Sequence, residues 1–236
     1  MFGFEAFLIF LFFIVFLAAS IWFGYARAVD MVGREVAQRN LRHTLPNILI
    51  WFALALIISL LGNYGWVSLN ILGSIGCCVL LLTWFFRKKE FGSLLINTGR
   101  TSINKLSFWL AVCFALSAIH TTWVMFVQVL GELPPSTNLE VLISQLVFYW
   151  VLAIYFLALG LSRLEFRENG ICFMLTFLKW QRVNSYNWEQ SKPNTLTIRF
   201  KPRFSLVPGF LSMPIPTKHR EAVNQILDER LPGKNL

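Results

Sequence analysis

Charge is scarce in this chain. Asp, Glu, Lys and Arg make up 14% of its 236 residues, against about 25% in an ordinary soluble domain. Five apolar runs account for the shortage: residues 4–25, 45–61, 66–86, 106–130 and 141–161. Apart from Glu5 at the head of the first, none contains a charged residue. Pumps, proton-coupled transporters and voltage sensors keep ionisable groups inside their membrane helices, because burying them is costly and is retained for function. Their absence argues against ion or proton translocation and leaves transport of an apolar molecule open. The first run also lacks a positively charged leader, with Glu5 in its place. A signal peptide needs the opposite charge and a small-residue cleavage site. The run therefore reads as a permanent anchor with its N-terminus outside.

Cysteine and histidine are equally sparse. Cys77 and Cys78 are adjacent in one apolar run, Cys113 is in another and Cys172 stands alone. No pair has metal-ligand spacing, and no disulfide framework is visible. His43, His120 and His219 fall in three separate segments. There is no nucleophile–histidine–acid set, no phosphate-cradling glycine loop and no pair of catalytic carboxylates. The expectation is a protein that is not an enzyme, with no cofactor and no metal.

Apolar sequence is abundant: 56% of residues are hydrophobic and the mean hydropathy is +0.59. About 20 apolar residues in a helix cross a hydrocarbon core, and all five runs fit. All 21 Lys and Arg residues lie in three segments, 27–42, 87–105 and 163–236. Glu5, Glu132 and Glu140 fall on the other side of the runs, without a basic neighbour. Basic residues gather on the cytoplasmic side of a membrane. The pattern predicts an α-helical membrane protein of five spans, N-terminus out and C-terminus in. The net charge of +9 is then a membrane-side effect. A nucleic-acid binder would need a basic groove interleaved with aromatics on one element, and no nucleic-acid partner is expected.

Thr44 is placed to cap the second span, with Pro46 in its first turn, where a missing N–H costs nothing. Gly62-Asn63-Tyr64-Gly65 then reads as a tight outer turn, making spans two and three an antiparallel hairpin. Within the spans, His120, Thr121 and Thr122 come near the depth of Gln145. Two readings apply to His120 and Gln145. One is a small polar site, a metal or cofactor ligand. The other is an interhelical hydrogen bond worth about 1 kcal/mol, which one histidine without a second ligand favours. Gly73, Ser74, Cys77 and Cys78 line one side of span three, a pattern of close helix packing. Asn70 is assigned no role.

Two segments between spans are basic. In 27–42, Val29, Val32 and Val36 recur at helical spacing. This is either a basic helix on anionic lipid or a helical extension packed on the tail. In 89–101, short apolar stretches alternate with Gly and Asn, as in a small hairpin or a plain loop.

Composition changes at Arg163, which divides the chain into a transmembrane domain, 1–162, and a cytoplasmic domain, 163–236. Leu164-Glu165-Phe166-Arg167 alternates and meets Glu168-Asn169-Gly170, a hairpin signal. Strands follow at 171–173, 176–180, 182–188 and 195–201. In the last, Leu196, Ile198 and Phe200 point one way and Thr197, Arg199 and Lys201 the other. A strand at 211–215 is confined to an edge by Pro214 and Pro216. A helix from about 218 to 231 carries one apolar stripe at Val223, Ile226 and Leu227. The expected tail is α+β: a curved antiparallel sheet and one C-terminal helix.

Glu168-Asn169-Gly170-Ile171, Trp180, then Val183, Tyr186 and Trp188, an alternating strand and a C-terminal helix together resemble the small bacterial pleckstrin-homology-like domains. The arrangement is most similar to an uncharacterised family of multi-spanning membrane proteins, common in cyanobacteria, that carries such a domain after several spans. Thr98-Gly99-Arg100-Thr101 belongs with the same resemblance. It implies a fold and supplies no catalytic residue. Read physically, Trp180, Tyr186 and Trp188 are core aromatics. Arg199, Lys201 and Arg203 form a basic edge, either for phosphate and anionic headgroups or as a solvated face protecting an edge strand.

Two functional classes follow. In the first, the protein is a non-catalytic membrane adaptor, accessory subunit or assembly factor. Its partners would be membrane lipids and a membrane protein complex, in a bacterial plasma or thylakoid membrane. In the second, the helices hold an apolar or neutral ligand such as a lipid or pigment, and the tail regulates them.

Overall fold

The computed structural model describes residues 33–59, 62–131, 139–190, 194–201 and 209–233, with scattered positions between 18 and 29. Most of the run 4–25, residues 132–138 of the loop before the last long helix and Arg203 lie outside the described residues. The chain divides into two compact units. One comprises Met1–Asn47, Asn184–Arg220 and Gly233–Leu236, and the other Ile48–Val183 and Glu221–Pro232.

Four long helices are described: α1 (Arg34–Ser59), α2 (Gly62–Arg87), α3 (Ser102–Val129) and α4 (Leu139–Leu161). Among the described residues, three stretches are long and apolar enough to cross a membrane: Tyr64–Glu90, Ile103–Val129 and Leu139–Leu161. Their outer surfaces are apolar, with Trp109 65% and Trp123 64% exposed. Contiguous apolar surface on that scale calls for lipid or a partner to cover it. The stretch expected as the second span forms the C-terminal part of α1.

Helix α1 does not begin at Thr44. It runs unbroken from Arg34 with Pro46 inside. The Thr44 hydroxyl donates to the carbonyls of Asn40 (2.9 Å) and Leu41 (3.4 Å), so it bonds backwards into an existing helix and caps nothing. Val36 and Ala37 are buried, and Tyr25, Ala28 and Val29 pack on them. Val29 and Val36 of the expected valine stripe share this cluster, and Val32 lies outside the described residues.

In the second unit α4 packs against both α3 and α2. The expected pairing of spans two and three is not among the extensive helix contacts of the described elements. Two close approaches position α4. A Cβ on Gly73 of α2 would lie 2.7 Å from the Phe148 ring, and one on Gly160 of α4 would lie 2.8 Å from the Phe108 backbone. Gly73 and buried Ser74 thus serve packing, as their pattern predicted; Cys78 is exposed.

Seven strands are described, in two sheets rather than the single curved sheet expected. The first has the order β1 (Leu94–Gly99), β2 (Leu164–Arg167), β3 (Gly170–Phe173), β4 (Thr176–Lys179). It is antiparallel throughout, and β1 comes from the segment between α2 and α3. The ambiguous stretch 89–101 is therefore a strand of the tail's own sheet. The second sheet has the order β5 (Val183–Trp188), β6 (Thr195–Phe200), β7 (Phe210–Pro214). The proline-bearing β7 is an edge strand, as its composition required. Helix α5 (Arg220–Arg230) follows, with Val223 and Leu227 buried.

Candidate functional site

Among the described residues, three places bear on the expected site residues and motif. The first is a groove of about 500 Å3 along α3 and α4, lined by His120, Gln145, Ser117, Thr121 and Tyr149 with apolar neighbours. The structure brings His120 and Gln145 to one groove, as their depths implied. The threonine hydroxyls beside His120 bond back into their own helix. Thr121 donates to the Ser117 carbonyl at 3.0 Å and Thr122 to the Ala118 carbonyl at 2.7 Å. A bond that crosses between helices lies elsewhere. Asn70 Nδ2 of α2 donates to Ser144 Oγ of α4 at 3.1 Å, both residues being buried. No role had been assigned to Asn70, although an amide midway along an apolar helix is the natural candidate for such a bond. Among the described residues, no three His, Cys, Asp or Glu side chains gather as a metal site.

The second place is the end of β6. Arg199 and Lys201 are exposed there; Arg203 is outside the described residues. Because β6 lies between β5 and β7, these cations do not guard a free edge. Thr197, expected on the same outward face, is buried, and its hydroxyl lies 2.8 Å from Ser212 Oγ on β7. The first half of β6 is covered on both faces, so alternation there does not mark exposure.

The third place is the junction of the α2–α3 segment with the β2–β3 hairpin. Phe91 is 1% exposed. It stacks on Phe177 (4.4 Å between ring centroids) and Trp84 (4.8 Å) and packs against Cys172. Glu168 and Asn169 form the hairpin turn, and both are held by the opposite segment. The Glu168 N–H donates to the Ser93 carbonyl at 3.0 Å. The Glu168 carboxylate accepts from the Ser93 backbone N–H (3.2 Å) and hydroxyl (3.0 Å). Those two bonds, the backbone one first, draw the Glu168 carboxyl below its ordinary value. Asn169 Nδ2 donates to the Glu90 carbonyl at 2.9 Å, and Lys179 Nζ lies 2.9 Å from Glu90 Oε2. Burial pushes the Cys172 thiol up to about 12.

This junction explains the motif read from the sequence. Gly170 is not in the turn; it opens β3 opposite Lys179. A Cβ there would come 2.2 Å from the Leu178 carbonyl oxygen, so glycine is required by close approach. Trp180 is buried against Phe166 and donates Nε1 to the Arg167 (3.0 Å) and Glu168 (3.1 Å) carbonyls. Tyr186 is buried at 1%, and Trp188 carries Arg220 above its ring at 5.1 Å. The core assignment holds for Trp180 and Tyr186.

Sequence reasoning missed Asn104. Its side chain is 1% exposed. Oδ1 accepts from the Thr101 N–H (2.9 Å) and hydroxyl (2.7 Å). Nδ2 donates to the Leu159 carbonyl (2.7 Å) and to Ser162 Oγ (2.9 Å). One amide thus ties the start of α3 to the end of α4. The Thr101-x-x-Asn104 spacing was the available signal, a variant of the capping box.

Among the described residues, three apolar helices of membrane-spanning length, with a four-stranded antiparallel sheet that takes one strand from the loop between two of them, are consistent with an integral membrane protein. Within that class, residues 162–232 match the family described as a domain of unknown function, DUF5673. No curated protein and no solved structure matches the chain.

Proposed function

We propose that the protein is a non-catalytic integral membrane adaptor, an accessory subunit or assembly factor whose cytoplasmic domain engages a partner protein of a membrane complex. In this reading five spans run from an outer N-terminus to an inner C-terminus, in a bacterial plasma or thylakoid membrane. The C-terminal domain is pleckstrin-homology-like and belongs with the cyanobacterial family it resembles. The observation that carries the proposal is the pairing of β1 with β2. A first sheet that takes one of its strands from the loop between two membrane helices is tied to those helices, as an adaptor requires. The contact of Arg39 with Glu189 (3.1 Å) and Phe210 (5.0 Å) supports the same side for segment 34–47 and the tail. Four and three antiparallel strands followed by a helix support the pleckstrin-homology-like fold. Arg199, Lys201 and Arg203 are the candidate contact residues for partner or lipid.

The test is mild-detergent purification of the tagged full chain from its native membrane, followed by mass spectrometry. A stoichiometric membrane-protein partner is expected, and its loss when Arg199, Lys201 and Arg203 become Ala would assign the surface. A chain that purifies alone would overturn the proposal.

The groove beside His120 and Gln145 favours the second reading, a helical domain that holds an apolar or neutral ligand. An imidazole and a carboxamide within apolar walls suit a neutral molecule with hydrogen-bonding groups. Extraction of a purified chain with organic solvent, revealing one enriched lipid or pigment that is lost in His120→Ala, is the outcome expected there.

A further inference from the structure

A cavity of about 330 Å3 opens where α2 and α4 end and the first sheet begins. Its walls come entirely from one compact unit. Trp84, Phe91, Ala158 and Leu161 supply apolar surface, and Lys88, Arg163 and Arg167 supply cations. Glu165 also faces it. Its carboxylate holds Arg167 at 2.7 Å, and Arg167 further donates Nη1 to the Gly92 carbonyl at 3.1 Å. That pair is internally neutralised. Lys88 and Arg163 are different. Both are exposed, and among the described residues neither has a carboxylate within ion-pair distance. Two uncompensated positive charges therefore converge on one cavity, with the Ser162 hydroxyl at its wall.

The depth matters as much as the charge. Lys88 follows directly on the last residue of α2, and Arg163 lies two residues beyond the end of α4. If these helices cross a bilayer, the cavity sits at headgroup level, with Trp84 in the position aromatic side chains take at that interface. Basic pockets between helices at that level bind anionic headgroups.

We propose that this cavity is a binding site for the phosphate of an anionic membrane lipid, with Lys88 and Arg163 as the phosphate ligands and Trp84, Ala158 and Leu161 against the first carbons of the acyl chains. With the Glu165–Arg167 pair cancelling itself, Lys88 and Arg163 are the charges the cavity offers, enough for a singly charged phosphodiester. The site is separate from Arg199 and Lys201 and from the groove at His120. It requires only that the helices span, and it stands whether or not a partner protein is found.

The test is native mass spectrometry of the detergent-purified full chain with added phosphatidylglycerol, phosphatidylcholine or glycerol 1-phosphate. Phosphatidylglycerol should be retained and raise the melting temperature, and phosphatidylcholine should do neither. Changing Lys88→Gln and Arg163→Gln together should weaken phosphatidylglycerol roughly 30-fold, at about fivefold per cation. Lys218→Gln, at an exposed cation outside the cavity and outside the candidate contact surface, should leave it unchanged. Equal retention by the Lys88/Arg163 variant, or equal retention of the zwitterionic lipid, overturns the site. Binding of glycerol 1-phosphate as tight as that of phosphatidylglycerol overturns the lipid as its source.

Discussion

Asn104 shows how much one side chain carries where helices meet. Its amide satisfies the Thr101 donors, the Leu159 carbonyl and Ser162 at once. A buried amide lost without replacement leaves those partners unpaired, at about 1–3 kcal/mol. Asn104→Ala should therefore lower the melting temperature of the detergent-solubilised protein, while Lys105→Ala, on an exposed neighbour, should not. Cys172 makes a second case. Its thiol is 2% exposed and its ionisation is pushed up to about 12 by burial. The folded state holds this proton more tightly than the unfolded chain. Stability is therefore unaffected below the ordinary thiol range and falls as pH rises through that range toward 12. At pH 8 a water-soluble maleimide should leave Cys172 unlabelled until denaturant is added, as read by peptide mass. Labelling of the native protein would contradict the burial.

Among the elements, the β3–β4 hairpin is the one built against local preference. Its two-residue turn, Met174-Leu175, has φ of 48° and 58°. Primed turns of this kind match strand twist but favour Asn and Gly. A long side chain at each position costs roughly 1 kcal/mol or more. Met174→Asn with Leu175→Gly should thus raise the melting temperature; a fall would mean that the Met174 and Leu175 side chains contribute more than the turn strain costs. This hairpin also marks the limits of reading sequence. Strands β2 to β7 were legible within one or two residues, because alternation, Asn-Gly punctuation and proline placement act locally. Helix ends at Arg87 and Leu161 were legible because charge halts an apolar run. Pairing was not: nothing local says that 94–99 joins 164–167, since register across 66 residues is decided by packing around Phe91 and Phe177. Buried Thr197 and the Asn70–Ser144 bond were hidden for the same reason: each depends on what lies opposite. Of the candidate site residues, the meeting of His120 with Gln145 could be inferred from depth alone. The cavity at Lys88 and Arg163 could not, because it needs two helix ends and a strand in three dimensions.

At the scale of the molecule, the junction of loop and tail decides how the parts behave together. Phe91, buried between Trp84 and Phe177, belongs to a helix end, a loop and a sheet at once. Leu94 and Arg167 are partners across β1 and β2. Leu94→Cys with Arg167→Cys should form a disulfide under mild oxidation. After protease cleavage at a site engineered into the 131–138 loop, the two fragments should remain joined until reductant is added. Separate fragments without reductant would mean that the loop strand does not pair with the tail. The same pairing imposes a schedule on synthesis. Thr98 reaches the ribosome's exit 66 residues ahead of Leu164, the residue whose carbonyl it bonds, which at ordinary elongation rates is a delay of roughly 3–13 s. Throughout that interval α3 and α4 are being made while β1 lacks β2 to complete its backbone bonds. Biogenesis of this protein therefore ends with the hairpin reaching back to claim a waiting strand, and ribosomes stalled before residue 167 would leave that strand available to other chains.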